Sequence, residues 1–201
     1  MVLIEDDQIL SGSAISVHAW EQNLQADLVR FLVLPSDDVL EVGLGLGMAH
    51  AEIQRVAPKS HHVIELSQEV VEFHRARDAQ IFGLIQGEWR QVIATLPDSS
   101  FDAIYYDADP EDINAFDGGI KASWNFARPA IIQCSRLLRL GGRLGFLDFS
   151  CMISKDKKIG QTLAELGYRL DARDVPITPP ASCCYAPNAG CHLIKLTKIK
   201  I

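Results

Sequence analysis

Residues 39–47 read Val39-Leu-Glu-Val-Gly-Leu-Gly-Leu-Gly47, and Met48-Ala-His-Ala-Glu52 follows directly. Asp38–Val42 reads as a short apolar strand, the glycine stretch as a turn, and the residues from Met48 as a helix. Glycines at 43, 45 and 47 remove side chains where the backbone must turn tightly and let a ligand come close. Strand, glycine turn and helix N-terminus together make a nucleotide-type binding corner. The spacing is GxGxG rather than GxGxxG, and by itself it also fits an ordinary tight strand-to-helix turn. The rest of the chain decides between the two.

On the N-terminal side, Met1–Gly12 reads as a loose start. Ser13 reads as a cap for a helix over Ile15–Leu34, with Val17, Trp20, Leu24, Leu28, Phe31 and Leu32 at helical spacing and Pro35 as its stop. Beyond the turn, helices are expected over 48–56, 67–78, 89–95, 124–138 and 155–166. Strands are expected over 61–65, 81–85, 101–106, 143–149, 168–175 and 191–199. Pro129 either kinks the fourth of these helices or marks its first turn, and Leu140-Gly141-Gly142 reads as its stop. Strands alternating with helices, and two strands close together at the end, predict an α/β fold. It is a doubly wound, mostly parallel sheet of seven strands with an antiparallel last strand. The chain is expected to form one domain over 1–201. In it a helical cap or lid, 1–36, precedes a cofactor-binding core, 37–201.

The bulk composition narrows the partners. With 201 residues, 48% apolar and 22% charged, the chain is long enough for a sizeable core and too apolar for disorder. A formal net charge of −7 disfavours nucleic acid or an anionic membrane as partner and suits a cationic substrate. Five cysteines without metal spacing and no visible leader predict reduced thiols and a cytoplasmic protein. No apolar run approaches the length of a membrane span. The histidines at 18, 50, 61, 62, 74 and 192 show no metal-ligand spacing, so no metal is expected.

Ligands of doubly wound sheets sit at the carboxyl ends of the strands. Strand one offers Glu41 and the glycines. Strand two ends at Glu65, placed to accept hydrogen bonds from both hydroxyls of a ribose. After strand three, Gly87-Glu88-Trp89 offers a ring and backbone groups to an adenine. Strand four ends at Asp107, and strand five offers Asp148, Phe149 and Ser150. Glu41 would project a negative charge into the corner, which repels a diphosphate and attracts an ammonium or sulfonium. On charge grounds the corner favours S-adenosylmethionine over a nicotinamide dinucleotide.

Several segments then become specific. Val39–Gly47 resembles the first motif of class I S-adenosylmethionine-dependent methyltransferases. Trp20-Glu21, Val63-Ile64-Glu65, Gly87-Glu88-Trp89, Thr95-Leu-Pro-Asp98 with Phe101-Asp102-Ala-Ile-Tyr-Tyr-Asp107, and Pro179-Pro-Ala-Ser-Cys183 with Tyr185 resemble guanidinoacetate N-methyltransferase and related small-molecule guanidine and arginine N-methyltransferases. The resemblance runs from about Val17 to Lys198. It implies two carboxylates on the guanidine substrate, Asp107 and Glu21, as catalytic residues. It also implies a cofactor site of Trp20, Glu41, Gly43, Gly45, Gly47, Met48, Glu65, Leu66, Gly87, Glu88, Trp89 and Asp107. A substrate site of Glu21, Asp107, Ala108, Asp109, Phe149 and Ser150 completes the set.

The pair makes chemical sense. A guanidinium is a poor nucleophile while protonated. A carboxylate fork orients its plane, and a carboxylate in reach can take the proton released as the new C–N bond forms. The match departs in three places. Few residues precede Trp20 to form a lid, Ala108-Asp109-Pro110 adds an acid after strand four, and Asp148-Phe149-Ser150 follows strand five. The expected function is therefore S-adenosylmethionine-dependent N-methylation of a guanidine or amine on a small cationic molecule. The alternatives are methylation of arginine in a protein and a non-catalytic methyltransferase-fold binding protein, with a second copy of the chain as a candidate partner.

Overall fold

A computed structural model describes residues 2–4, 8–11, 14–77, 81, 83–108, 120–181, 183, 186 and 190–200. The chain opens on strands where a loose start and then the beginning of a helix were expected. Strands β1 (Val2–Ile4), β2 (Gln8–Ser11) and β3 (Ala14–His18) form an antiparallel three-stranded sheet. The reason lies in Ala14-Ile-Ser-Val17, where β-branched residues alternate with small ones. That period-2 pattern is embedded at the start of the longer 3.6-residue pattern. His18 then breaks the strand: its Nδ1 accepts the Trp20 N–H at 3.2 Å and caps a 3-10 turn, Ala19–Glu21. The turn runs into α1 (Gln22–Leu32). Leu24, Leu28, Val29 and Leu32 are buried on one face of α1, each worth about 1.5–3 kcal/mol over an exposed position.

From there the expected alternation is observed. The elements are β4 (Asp38–Val42), α2 (Met48–Val56), β5 (Ser60–Glu65), α3 (Gln68–Arg77), β6 (Leu84–Gln86), α4 (Trp89–Thr95) and β7 (Phe101–Tyr106). They continue with α5 (Ile120–Cys134), β8 (Leu138–Asp148), α6 (Lys157–Glu165), β9 (Tyr168–Pro176) and β10 (Gly190–Lys198). The seven-stranded sheet has the order β6-β5-β4-β7-β8-β10-β9. The β4, β5, β6, β7 and β8 neighbours pair in parallel, and β10 runs antiparallel to both β8 and β9. Pro129 lies inside α5, and the predicted stop at Leu140-Gly141-Gly142 falls inside β8, which starts earlier than expected.

The strand parity sorts the core into two layers. Leu40, Val42, Ile104 and Tyr106 face a core shared with α4 and α5. Val39, Ala103 and Tyr105 face one shared with α1 and α2. A smaller cluster of Ile9, Leu44, Val63 and Val70 fastens the N-terminal sheet to the glycine turn and α3. No described helix is long and apolar enough to cross a membrane.

Charged groups gather at the end of the sheet remote from the glycine turn. Arg143 Nη2 meets Asp37 at 2.7 Å, and Arg139 Nη1 lies 2.9 Å from Asp38 and 2.6 Å from Asp102. Asp38 also accepts from Ser60 Oγ at 2.7 Å and Lys59 Nζ at 3.0 Å. The Ser60 bond, then the Lys59 bond, hold its carboxyl at about 2 against the opposing effect of burial. A carboxyl depressed in the fold stabilises it above the unfolded pKa near 4 and loses that contribution as pH falls through about 2. Acid titration of Asp38→Asn should therefore show less loss of stability between about pH 4 and pH 2 than the parent chain. Identical acid profiles would refute this assignment.

Candidate active site

The sheet order reverses direction at β4, which has β5 on one side and β7 on the other. Val42 pairs with Ile64 and with Tyr106, so the strands end level. The next residues therefore meet: Gly43 N donates to Ile64 O at 2.9 Å and Asp107 N to Val42 O at 2.9 Å. Gly43 adopts φ +93°, and a Cβ built on it would stand 2.3 Å from the Asp107 carbonyl oxygen. The close approach of two backbones explains why this position is glycine. Gly47, at φ +76°, precedes α2, and a Cβ there would meet the His74 ring at 2.8 Å.

Glu65 curls over this turn from the end of β5. Its Oε2 accepts from Leu44 N at 2.9 Å and, less closely, from Gly45 N at 3.4 Å, and its Oε1 accepts from Ser67 N at 2.7 Å. An ionised carboxylate offers about four lone-pair sites, so with three donors already on it the fixed group retains capacity for one further donor, such as a ribose hydroxyl. On the turn's other flank, His74 Nε2 bonds the Gly45 carbonyl oxygen at 2.7 Å. Nothing in the sequence marks His74. It lies on α3 and reaches the turn only through the packing of that helix.

Asp107 and the N-terminal helix converge. Gln25 Nε2 donates to Asp107 Oδ2 at 3.1 Å. Gln25 follows Glu21 by one helical turn, and both side chains are buried, so Glu21 lies on the face turned to β7. Burial first, then the carboxylates of Asp107, Glu41 and Glu21, push the Tyr105 hydroxyl well above its usual pKa. Trp20 joins Phe149, with ring centroids 6.2 Å apart, and its buried indole N–H has no hydrogen-bond partner among the described residues. Gln25 was missed from the sequence; its signal was position i+4 from Glu21.

Other expected site residues are placed differently. Trp89 is not a ring open to an adenine. It is 7% exposed, packs edge-on to Tyr106 at 5.4 Å and belongs to the core between sheet and α5. Its position as first residue of α4 turns it inward. Glu88 caps α4 by accepting from Gln91 N at 3.2 Å and pairs with Arg90 at 3.0 Å. Gly87 N donates to Glu65 O at 2.9 Å, which keeps its backbone beside Glu65. The Ser150 hydroxyl bonds Asp148 Oδ1 instead of standing free for a substrate, and Ser150 N donates to the same oxygen at 3.0 Å. Met48 and Ala108 are half-buried at the rim and Leu66 is exposed. Asp109 and Tyr185 lie outside the described residues.

Glu41 is the main revision. Its strand parity turns it to the α2 side of the sheet, and it has no exposed surface. There Oε2 meets His50 Nδ1 at 3.2 Å and His61 Nε2 at 2.9 Å. Burial opposes ionisation, yet the two imidazoles hold the carboxyl below its ordinary value. Negative charge at the corner therefore falls to Asp107 and Glu21, not to Glu41. The donor set still fits S-adenosylmethionine: a fixed carboxylate for a ribose, no lysine or arginine for a phosphate bonded to the turn among the described residues, and an orphaned buried indole donor.

The comparisons agree with this reading. The family model described as guanidinoacetate N-methyltransferase matches residues 8–186. Protein arginine N-methyltransferase 2 of Aspergillus oryzae is 36% identical over 120 residues, covering 56% of this chain and 29% of the relative. Its namesake from Gibberella zeae is 28% identical over 131 residues, covering 55% and 30%. The chain thus spans about a third of the length of these curated relatives. Among solved structures, precorrin-6y C5,15-methyltransferase from Geobacter metallireducens superposes with a TM-score of 0.60 at 12% identity, covering 96% of this chain and 95% of that one. NSun6 from Pyrococcus horikoshii with SFG gives 0.61 at 16% identity, covering 90% and 52%. At such identities the structural likeness shows the fold alone. With the family model matching nearly the whole chain, and with the glycine turn, Glu65 and Asp107 meeting at the sheet's reversal point, the chain belongs to the guanidinoacetate N-methyltransferase family of S-adenosylmethionine-dependent methyltransferases.

Proposed function

We propose that the chain methylates a guanidine or amine nitrogen of a small cationic molecule of the guanidinoacetate or arginine type. The observation that carries the reading is the bond from Gln25 to Asp107, which ties the Glu21 face of α1 to the end of β7. S-adenosylmethionine, when bound, supplies the electrophilic methyl group. Glu65 binds the ribose, and the Gly43–Gly47 backbone lines the methionine end. Asp107 and Glu21 grip the planar acceptor from two elements, which fixes its nitrogen for in-line attack. Asp107 takes the proton that the nitrogen releases as the C–N bond forms. Trp20 and Phe149 wall the acceptor side.

The test is S-adenosylhomocysteine release with guanidinoacetate, arginine, agmatine, simple amines and an arginine-rich peptide as separate acceptors. Turnover with a free guanidine or amine supports the proposal, and no turnover with any acceptor sinks it. Transfer to the peptide alone supports the second reading, methylation of arginine in a protein. That reading draws on the similarity to the fungal protein arginine N-methyltransferases 2.

Gln25 is a positioning residue in this scheme. Gln25→Leu keeps the bulk of the side chain and removes the donor to Asp107. It should lower kcat about tenfold, from the loss of a hydrogen bond to a charged group, with S-adenosylmethionine affinity unchanged. Equal loss of cofactor affinity would mean that Gln25 acts only through the fold.

A further inference from the structure

The strongest unexplained feature lies two residues before the glycine turn, in the α2-side core. Glu41 on β4, His50 in the first turn of α2 and His61 on β5 each offer one ligand atom, and these atoms lie within 4.8 Å of one another. Glu41 is fully buried and His61 nearly so, while the His50 side chain keeps 17% exposure. The two imidazoles stack with centroids 4.7 Å apart and planes 24° apart.

The cluster is not satisfied by its own hydrogen bonds. Glu41 Oε1 is buried without a partner among the described residues. His61 Nε2 stands 2.9 Å from Glu41 Oε2, yet its direction fails that of an N–H···O bond, so it too is left without a hydrogen-bond partner. Two buried polar atoms without partners, in one cluster of three potential ligands, mark a place where an ion or a water belongs. The chemistry of the donors favours the ion. Two imidazole nitrogens and one carboxylate are the His2Glu set of zinc-class sites. Bonds of about 2.0–2.1 Å in a tetrahedron put neighbouring ligand atoms about 3.3 Å apart, and two of the separations here are 2.9 and 3.2 Å.

An outer partner is present as well. His61 Nδ1 faces the Gln54 amide at 2.7 Å. With the amide oxygen turned to it, as the assignment of an amide permits, Gln54 would accept from Nδ1–H. That fixes the tautomer whose Nε2 lone pair points at the cluster. We propose that Glu41, His50 and His61 bind one divalent transition cation of the zinc class. It ties β4, β5 and α2 together under the glycine turn and is reached from solvent past His50. The site is separate from the methyl-transfer residues, and its existence does not depend on the reaction proposed above.

The test uses the purified full chain, stripped with a chelator and desalted. Titration with zinc chloride against a chromophoric chelator should give one zinc per chain, and zinc should raise Tm. His50→Gln and His61→Gln should each weaken zinc binding at least tenfold, and the Tm response should vanish in His50→Gln. The partly exposed His50 makes the first variant the safer one for folding, and circular dichroism checks both. Cobalt(II) bound to the parent chain should show visible bands of a four-coordinate nitrogen and oxygen site. A near-ultraviolet thiolate band would instead assign the metal to cysteines and overturn the proposal. So would a stripped chain that takes up no zinc, or zinc binding in both histidine variants as tight as in the parent chain. If the variants fail to fold, the stoichiometry and cobalt spectrum of the parent chain decide alone.

Discussion

Asp107→Asn is expected to lower methyl transfer to the guanidine acceptor by about 10²- to 10⁴-fold, with S-adenosylmethionine affinity kept within a few-fold. The substitution is nearly isosteric. Asn retains an oxygen to accept the Gln25 donor, and the main-chain carbonyl that packs on Gly43 is untouched. The change removes the negative charge that steadies the guanidinium and the base that receives its proton, and little else. Single-turnover rates, with calorimetry of cofactor binding beside them, read the two effects separately. A variant that turns over at a tenth of the parental rate or better would dismiss Asp107 as the base. Collapse of cofactor binding would recast it as part of the cofactor site.

The largest structural effect should come from Gly43→Ala. A Cβ would lie 2.3 Å from the Asp107 carbonyl oxygen, 2.8 Å from its carbon and 3.2 Å from Ala108 N, at φ +93°. These are backbone atoms of the neighbouring strand end and cannot swing aside. Left-handed strain costs about 1–3 kcal/mol, and overpacking adds about 1–3 kcal/mol. The sum is a large part of a domain's stability of about 5–15 kcal/mol. For a domain of this size, Tm should fall by roughly 4–24 °C. Gly141→Ala is the control. It has a similar φ of +82° and nothing within 4 Å of the added Cβ, so it should carry the strain alone. Equal melting temperatures for the two variants would show that the approach of Gly43 to Asp107 is looser than described.

The fold of the core was legible because its signals are local. An apolar run at Asp38–Val42, a glycine triplet and a helical stretch can be read one after another, and so can each later strand and helix. The misreadings were also local. Ala14–His18 carries a strand's period inside a helix's, and pairing with β2 resolved it in favour of the strand. Leu138–Leu140 read as helix end because glycines follow. Pairing of Leu138 with Phe101 of β7 starts β8 there instead.

At the site, the sequence by itself determined which residues end each parallel strand: Gly43 after β4, Glu65 at the end of β5, Asp107 after β7. Chain order and alternation fix those positions, so the candidate carboxylates could be named without coordinates. Only the tertiary structure decided where side chains point and what they meet. Strand parity and the seating of α2 turned Glu41 away from the corner onto His50 and His61. The packing of α1 brought Gln25 to Asp107 across 82 residues of chain, and that of α3 set His74 on the glycine turn. The physical reason is the same in each case. A strand's ends follow from its own residues, whereas a buried polar side chain takes whichever partner the neighbouring layer presents, because burial without one is costly.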